Sequence, residues 1–256
     1  MPVRPRAADE LIYTRKTDYY RQTTHEFNLP AGWSCPWALS CLTKADRDTG
    51  KLVERPDRHD DGTPKHIDSE VEAYVCYAAR AERYPSVRQT RWHNYNAVRE
   101  RLSAGDIFDV PRNAAFVRVH GSGDFFNEQY FLMWMRTAAA HPDVKFWAFT
   151  KSIKYWTDNL DAVPENFALT ASRGSKQDDL IDRYGLRTAQ VFYDLSDVPD
   201  DMVVDRDDWE AQHADAPAFA LLENMANRRQ ASREDIDAHN ITAYTKQGRD
   251  TTHANG

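Results

Sequence analysis

Ala114-Ala115-Phe116-Val117-Arg118-Val119-His120-Gly121-Ser122-Gly123-Asp124 is a short apolar run that ends in a glycine-flanked polar loop. It reads as a strand and the turn leaving it. Asn127 is placed to cap a following helix that runs to about Ala140. The unit then recurs. Val144 to Thr150 is the next strand and Lys151-Ser152 its loop, with a helix over Ile153 to Leu160. Phe167 to Ala171 is a third strand, Gly174 to Tyr184 loop and helix, and Ala189 to Tyr193 a fourth strand. Strands that alternate with helices at this spacing form a mainly parallel sheet with right-handed crossovers. Their short continuous apolar runs suit strands covered on both faces. The fold class is α/β.

In such units, the polar residues at the carboxyl ends of the strands face the functional side. Those positions are His120 to Asp124, Thr150-Lys151-Ser152 and Thr170-Ala171-Ser172-Arg173. Three successive strand ends therefore present hydroxyls, charges or glycines.

Upstream of the repeat, Ser86 to Ser103 has a helical pattern. Ser69 and Glu72 have capping-box spacing at the start of another helix, running to Arg83. Residues 42–69 form a polar insert with a turn signal at Asp48-Thr49-Gly50, suited to a small hairpin. Before it, Phe27-Asn28-Leu29-Pro30-Ala31-Gly32-Trp33-Ser34-Cys35-Pro36 holds a turn at Pro30 and Gly32. The organisation expected is a polar lead over 1–25, one βα-repeat domain over 26–230, and a polar, frayed tail over 231–256.

At 256 residues with 41% hydrophobic side chains, the chain has enough apolar material for a sizeable core. No run approaches the roughly 18 apolar residues that span a bilayer, and no apolar region follows the basic start at 1–6. The expectation is a cytoplasmic protein with no membrane partner. The net charge of −7 is uneven: residues 1–100 carry 16 basic and 15 acidic side chains, the remainder 17 and 25. That balance argues against a general nucleic-acid coat but leaves room for local phosphate contact.

The three cysteines, Cys35, Cys41 and Cys76, are too few and too odd in number for a disulfide framework. Either they are separate buried residues, or they bind a soft metal as thiolates. The metal candidates are iron in an iron–sulfur cluster, or zinc with His59, His66 or His93 as a fourth ligand.

Phe27 to Gly32, Cys35-Pro36 with Cys41, Cys76-Tyr77-Ala78, Arg118 to Phe126 and Phe149 to Ser152 together resemble the phage family called gene product 88. More distantly, they resemble phage proteins similar to radical S-adenosylmethionine enzymes. The resemblance covers roughly residues 26 to 195. It implies a partial (βα) barrel, TIM-barrel-like, with an N-terminal cysteine-bearing loop region. Cys35, Cys41 and Cys76 would hold a [4Fe–4S] cluster whose fourth iron binds S-adenosylmethionine, with Tyr77 packed beside it. Ser122, Gly123 and Asp124 would receive the methionine amino group, and Lys151 and Ser172 would contact an anionic group. A nucleic acid or nucleotide is the candidate substrate, and host cytoplasm the expected location. The usual radical enzymes carry their three cysteines close together in one loop, whereas here the insert displaces Cys76. Convergence requires Cys76, near the middle of the expected helix, to face the loop of Cys35 and Cys41.

Each residue also has a structural reading. Asp124 fits a helix cap, Lys151 a solvated lysine and His120 a satisfied core histidine. Trp134, Trp147 and Trp156 read as core. Arg80, Arg83, Arg88, Arg91, Arg99 and Arg101 alternate with Tyr84, Trp92 and Tyr95, either as a solvated helix face or as a grip on single-stranded nucleic acid. The acidic stretch Asp200, Asp201, Asp205, Asp207 and Asp208 reads as a hard-cation site or as a solvated, mobile loop.

Overall fold

The computed structural model describes residues 7–17, 22–41, 43–54, 74–105, 107–223 and 231–254. In chain order, the first elements are β1 (Tyr13–Lys16), β2 (Thr24–Phe27), β3 (Thr43–Ala45), β4 (Leu52–Glu54), α1 (Tyr77–Ala81) and α2 (Pro85–Ala104). The repeat follows as β5 (Phe116–Val119), α3 (Glu128–Ala139), β6 (Lys145–Thr150), α4 (Ile153–Thr157), β7 (Phe167–Ser172), α5 (Asp178–Tyr184) and β8 (Thr188–Phe192). Two short strands, β9 (Val203–Val204) and β10 (Phe219–Leu222), and a last helix, α6 (Arg233–Lys246), close the chain.

Eight strands form one open sheet in the order β1-β2-β5-β6-β7-β8-β10-β9. Only β1–β2 is antiparallel; the other pairs are parallel. From β2 to β8 each βα strand lies beside its predecessor, as in part of a (βα) barrel. Helices α2 to α5 touch one another in series, so they line one face. Alternation along the strands then sorts the residues. Phe27, Val117, Val119, Phe146, Ala148, Phe167 and Leu169 pack with Val98, Phe131 and Trp134 of the helices. On the opposite face, Glu26, Arg118, Trp147 and Ala168 stand in register across β2, β5, β6 and β7.

That second face is covered by the acidic segment. Asp208 accepts a hydrogen bond from Trp147 Nε1 at 3.0 Å and pairs with Arg118 Nε at 3.0 Å. Asp205 accepts the backbone N–H groups of Trp209 and Ala211. Asp205 and Asp208 are therefore buried, and the expectation of a solvated loop fails for them. The reason is that Arg118 and a row of backbone N–H groups replace their water.

Three boundaries depart from the sequence reading. The polar lead holds β1 and the start of β2, so the sheet begins within it. Asn94 secures this edge, its side chain exchanging two 2.8 Å hydrogen bonds with the Ile12 backbone. The helix expected over Ser69 to Arg83 is only Tyr77–Ala81 where described: Tyr74 is in a β-bridge with Cys41, and helix begins at Tyr77. Residues 69–73 lie outside the described residues, as do His59 and His66. The tail, finally, is not frayed. Ser232 and Asp235 form a reciprocal capping box, and Ile236, Ala243 and Tyr244 of α6 are buried. Asn240 bonds both backbone groups of Val204, covering an edge that would otherwise invite strand addition.

Candidate functional site

The strand-end residues singled out from sequence come together, and what they hold is the cysteine-bearing loop. Leu29 N donates to Ser122 O at 2.9 Å, while Ser122 Oγ donates to Leu29 O at 2.9 Å. Gly123, at φ +90°, sits so close that a Cβ there would lie 2.6 Å from both Leu29 Cβ and Ser34 Oγ. Farther along the same edge, Leu39 N and Ser40 N both donate to Gly174 O, and Lys176 N donates to Trp37 O. The loop from Asn28 to Cys41 thus docks on the turns after β5 and β7.

Asp124 is buried, and both its oxygens are engaged. Oδ1 accepts from Thr150 Oγ1 and Phe125 N, each at 2.7 Å, and Oδ2 accepts from Lys151 N at 2.8 Å. The residue that caps α3 is Asn127, whose Oδ1 accepts from Tyr130 N. Burial raises the Asp124 pKa to about 6, against the lowering effect of those donors. Its folded pKa lies above the unfolded value, so Asp124 favours the fold most at acid pH. That contribution falls as pH rises from about 4 to about 6, by about 3 kcal/mol at the usual 1.36 kcal/mol per unit. Denaturant titrations of the wild type and Asp124→Asn at pH 4, 5 and 7 test this. The wild type should lose stability relative to the variant as pH rises, and parallel profiles would refute the assignment.

Lys151 is buried as well. Its ammonium donates to Ser172 Oγ at 2.9 Å and to the carbonyl oxygens of Ser172 and Arg173. Asp124 is not the helix cap, nor Lys151 the solvated lysine, of the plain structural reading; together they tie β5, β6 and β7 to one another. His120 is likewise internal. Its Nε2 is 2.8 Å from the Tyr130 hydroxyl, and burial lowers its pKa to about 3, so it is neutral.

The three cysteines approach from separate segments. Cys35 Sγ accepts from Gly32 N at 3.4 Å, in the turn after Pro30. Cys41 Sγ contacts the Tyr74 hydroxyl at 3.2 Å, and Cys76 N donates to Thr43 Oγ1 at 3.2 Å. Cys76 is at the N-cap of α1 rather than inside a helix, packed on Ala31, Ala78 and Ala79. Its thiol pKa is raised, first by the hydrogen bond with Cys41, then by burial and by the charges of Cys41 and Cys35. None of the three is in a disulfide. Among the described residues, no group of three or more His, Cys, Asp or Glu side chains is already arranged as a metal-ligand set. His93 is held elsewhere, its Nε2 2.7 Å from Glu10 O.

Two acceptors at this edge escaped the sequence reading. Asn28 Oδ1 is buried and finds no hydrogen-bond donor among the described residues. It and Glu26 Oε1 both crowd the Cα of Gly121, where no Cβ fits. Tyr77 Oη donates to Gly121 O at 2.9 Å, so this spot adjoins the residue after Cys76. The clue was present in Phe27-Asn28-Leu29-Pro30, but an asparagine before a turn more often serves the turn itself.

Fold and site define an α/β protein with an open, mostly parallel sheet whose carboxyl edge carries a docked loop with two thiols, Cys35 and Cys41, and a third, Cys76, at the start of α1. The chain belongs to the family described as Gene product 88, which matches residues 5–246. It is similar to the Gene 88 proteins of Mycobacterium phage L5, at 32% identity, and of Mycobacterium phage D29, at 30%. Each match runs over 93 residues, 31% of this chain and 39% of the relative, so it spans about two fifths of the relatives' length. No solved structure matches the chain. Among the described residues, no helix is long and apolar enough to cross a membrane.

Proposed function

We propose that this chain is a phage iron–sulfur protein resembling the radical S-adenosylmethionine class, with Cys35, Cys41 and Cys76 holding a [4Fe–4S] cluster. The approach of three thiols from two segments, the docked loop and the start of α1, supports the reading. The donors are all soft sulfur, which suits iron–sulfur clusters or zinc. The hydrogen bond with Cys41, then burial, then the charges of Cys41 and Cys35 disfavour the Cys76 thiolate, and a bound cation would offset them. Side-chain rotation about Cα–Cβ would complete the ligand set. When bound, such a cluster supplies a site for the amino and carboxylate groups of S-adenosylmethionine and an electron for its sulfonium.

The chain's own residues then act as the frame. Ser122 and Gly123 fix the cysteine loop to the strand ends, and Asp124, Lys151 and Ser172 tie those ends together as the floor of the cofactor site. Asn28 Oδ1, beside Gly121, is the acceptor suited to an ammonium group, since the oxygens of Asp124 are engaged and Glu26 already pairs with Arg118 and Lys16. The substrate is a nucleotide or nucleic acid in this reading, and the setting is the host cytoplasm.

A second reading is a non-catalytic protein stabilised by zinc or a cluster and acting on a nucleic acid or host protein. It draws on the internal pairing of Asp124 and Lys151, which leaves them no open valence for a ligand.

Anaerobic purification with metal and sulfide analysis decides between them. The first reading expects a brown protein with about four irons per chain, and loss of nearly all the iron in Cys35→Ala, Cys41→Ala or Cys76→Ala. It also expects reductant and S-adenosylmethionine to yield 5′-deoxyadenosine. Stoichiometric zinc supports the second reading. A metal-free chain of undiminished stability, or iron retained in all three variants, overturns both cysteine assignments.

A further inference from the structure

The basic and aromatic segment that the sequence offers as one stripe divides in the folded chain. Arg88 and Arg91 are buried, donating to Glu82 O, Asp48 O and Ala78 O, and Arg91 pairs with Glu82. Arg101 pairs with Asp109. These three arginines build the protein.

What remains forms a different surface with help from the β3–β4 hairpin. The hairpin lies against the junction of α1 and α2: a Cβ on Gly50 would meet the Glu82 carbonyl and Arg83 Cα. It brings Lys44 Nζ 4.0 Å from the Trp33 ring centre and the Arg47 guanidinium 4.4 Å from that of Trp92. Trp33 and Trp92 pack at 5.7 Å, Trp92 and Tyr95 at 5.7 Å, and Arg99 lies over Tyr95. Nearby, the Arg83 guanidinium covers the Tyr84 ring. Two of these rings stay open to solvent despite their size, Trp33 at 42% and Tyr84 at 53%. The charge is segregated too. With Arg88, Arg91 and Arg101 set aside with the buried Glu82, residues 74–105 still carry Arg80, Arg83 and Arg99 against Glu100, in a chain of net charge −7.

We infer that this face, formed by Trp33, Lys44, Arg47, Arg83 and Tyr84, binds a single-stranded nucleic acid. Exposed rings partnered by cations match the two chemical features of an unpaired strand, flat bases and regularly spaced phosphates. A duplex hides its bases from rings of this kind. An apolar protein partner would leave the cations without counter-charge. Trp33 stands two residues before Cys35, so a strand held here passes beside the thiols. The inference needs no metal, and its failure leaves the cysteine reading standing.

Titration of the full chain with oligothymidylate and oligouridylate, followed by tryptophan fluorescence, tests it. Quenching is expected, with affinity falling as salt rises at a slope of about −0.7 for each phosphate neutralised. Trp33→Ala should weaken binding roughly tenfold, the scale of one lost base stack. Because Trp33 Nε1 also donates to Ala45 O, the exposed charge reversals Arg47→Glu and Arg83→Glu provide a second arm. Each should weaken binding and flatten the salt slope. Arg183→Ala removes the same kind of cation from Tyr184 on α5 and should change nothing. The inference is overturned by absent quenching at low salt, by equal affinity for duplex, or by reversals that bind like wild type. Preferential binding to anionic phospholipid vesicles would overturn it as well.

Discussion

Gly123→Ala should destabilise the protein by about 2–5 kcal/mol and loosen the cysteine loop together with the sheet edge. Two costs add. A side chain at φ +90° is strained by about 1–2 kcal/mol. The new Cβ would also lie 2.6 Å from Leu29 Cβ and Ser34 Oγ, and such overpacking costs about 1–3 kcal/mol. Gly105 separates the two. It has φ +76° at the end of α2 with nothing within 4 Å of a Cβ, so Gly105→Ala should show the strain alone. Urea unfolding gives both values, and limited proteolysis reports whether cleavage opens between residues 29 and 41. If Gly123→Ala is no worse than Gly105→Ala, the loop is not pressed on this turn as described.

Removing Glu82 should cost about as much, for a different reason. Its carboxylate is fully buried between α1 and α2, accepts the Ala31 N–H at 2.7 Å and pairs with Arg91 at 2.9 Å. Burial raises the Glu82 pKa, opposed by Arg91 and the Ala31 N–H, so the pair is held against a desolvation cost. Glu82→Ala leaves Arg91 buried without its counter-charge and should cost about 3–5 kcal/mol. Replacing both partners, as Glu82→Leu with Arg91→Met, removes the stranded charge and should be far milder than the single change. A double-variant cycle by chemical denaturation measures this. A double variant that loses the sum of its singles would show that the pair is not coupled. Since Glu82 holds Ala31, the single variant should also disorder the turn that carries Cys35.

How far the sequence could be read follows from the range of the forces involved. The βα units announced themselves because apolar runs, glycine turns and the Asn127 cap act within a few residues. The hairpin signal Asp48-Thr49-Gly50 is of the same kind: Asp46 Oδ1 takes the Thr49 N–H at 2.8 Å and Gly50 supplies φ +72°. The weak patterns misled. Tyr13 to Lys16 is polar in composition and becomes a strand only because β2 lies beside it. In the acidic run, Asp205 and Asp208 become buried because backbone N–H groups meet the first and Arg118 of the sheet meets the second.

The sequence by itself determined the alternation of strands and helices, the glycine turns at the strand ends and the presence of three thiols, all set by local sterics and spacing. The tertiary structure alone decided that Ser122, Gly123 and Gly174 clasp the cysteine loop and that Asp124 and Lys151 turn inward. It also divided the arginines between interior and surface. Those outcomes depend on backbone groups far apart in the chain meeting at hydrogen-bond distance, and no local pattern encodes which carbonyl a distant N–H will find.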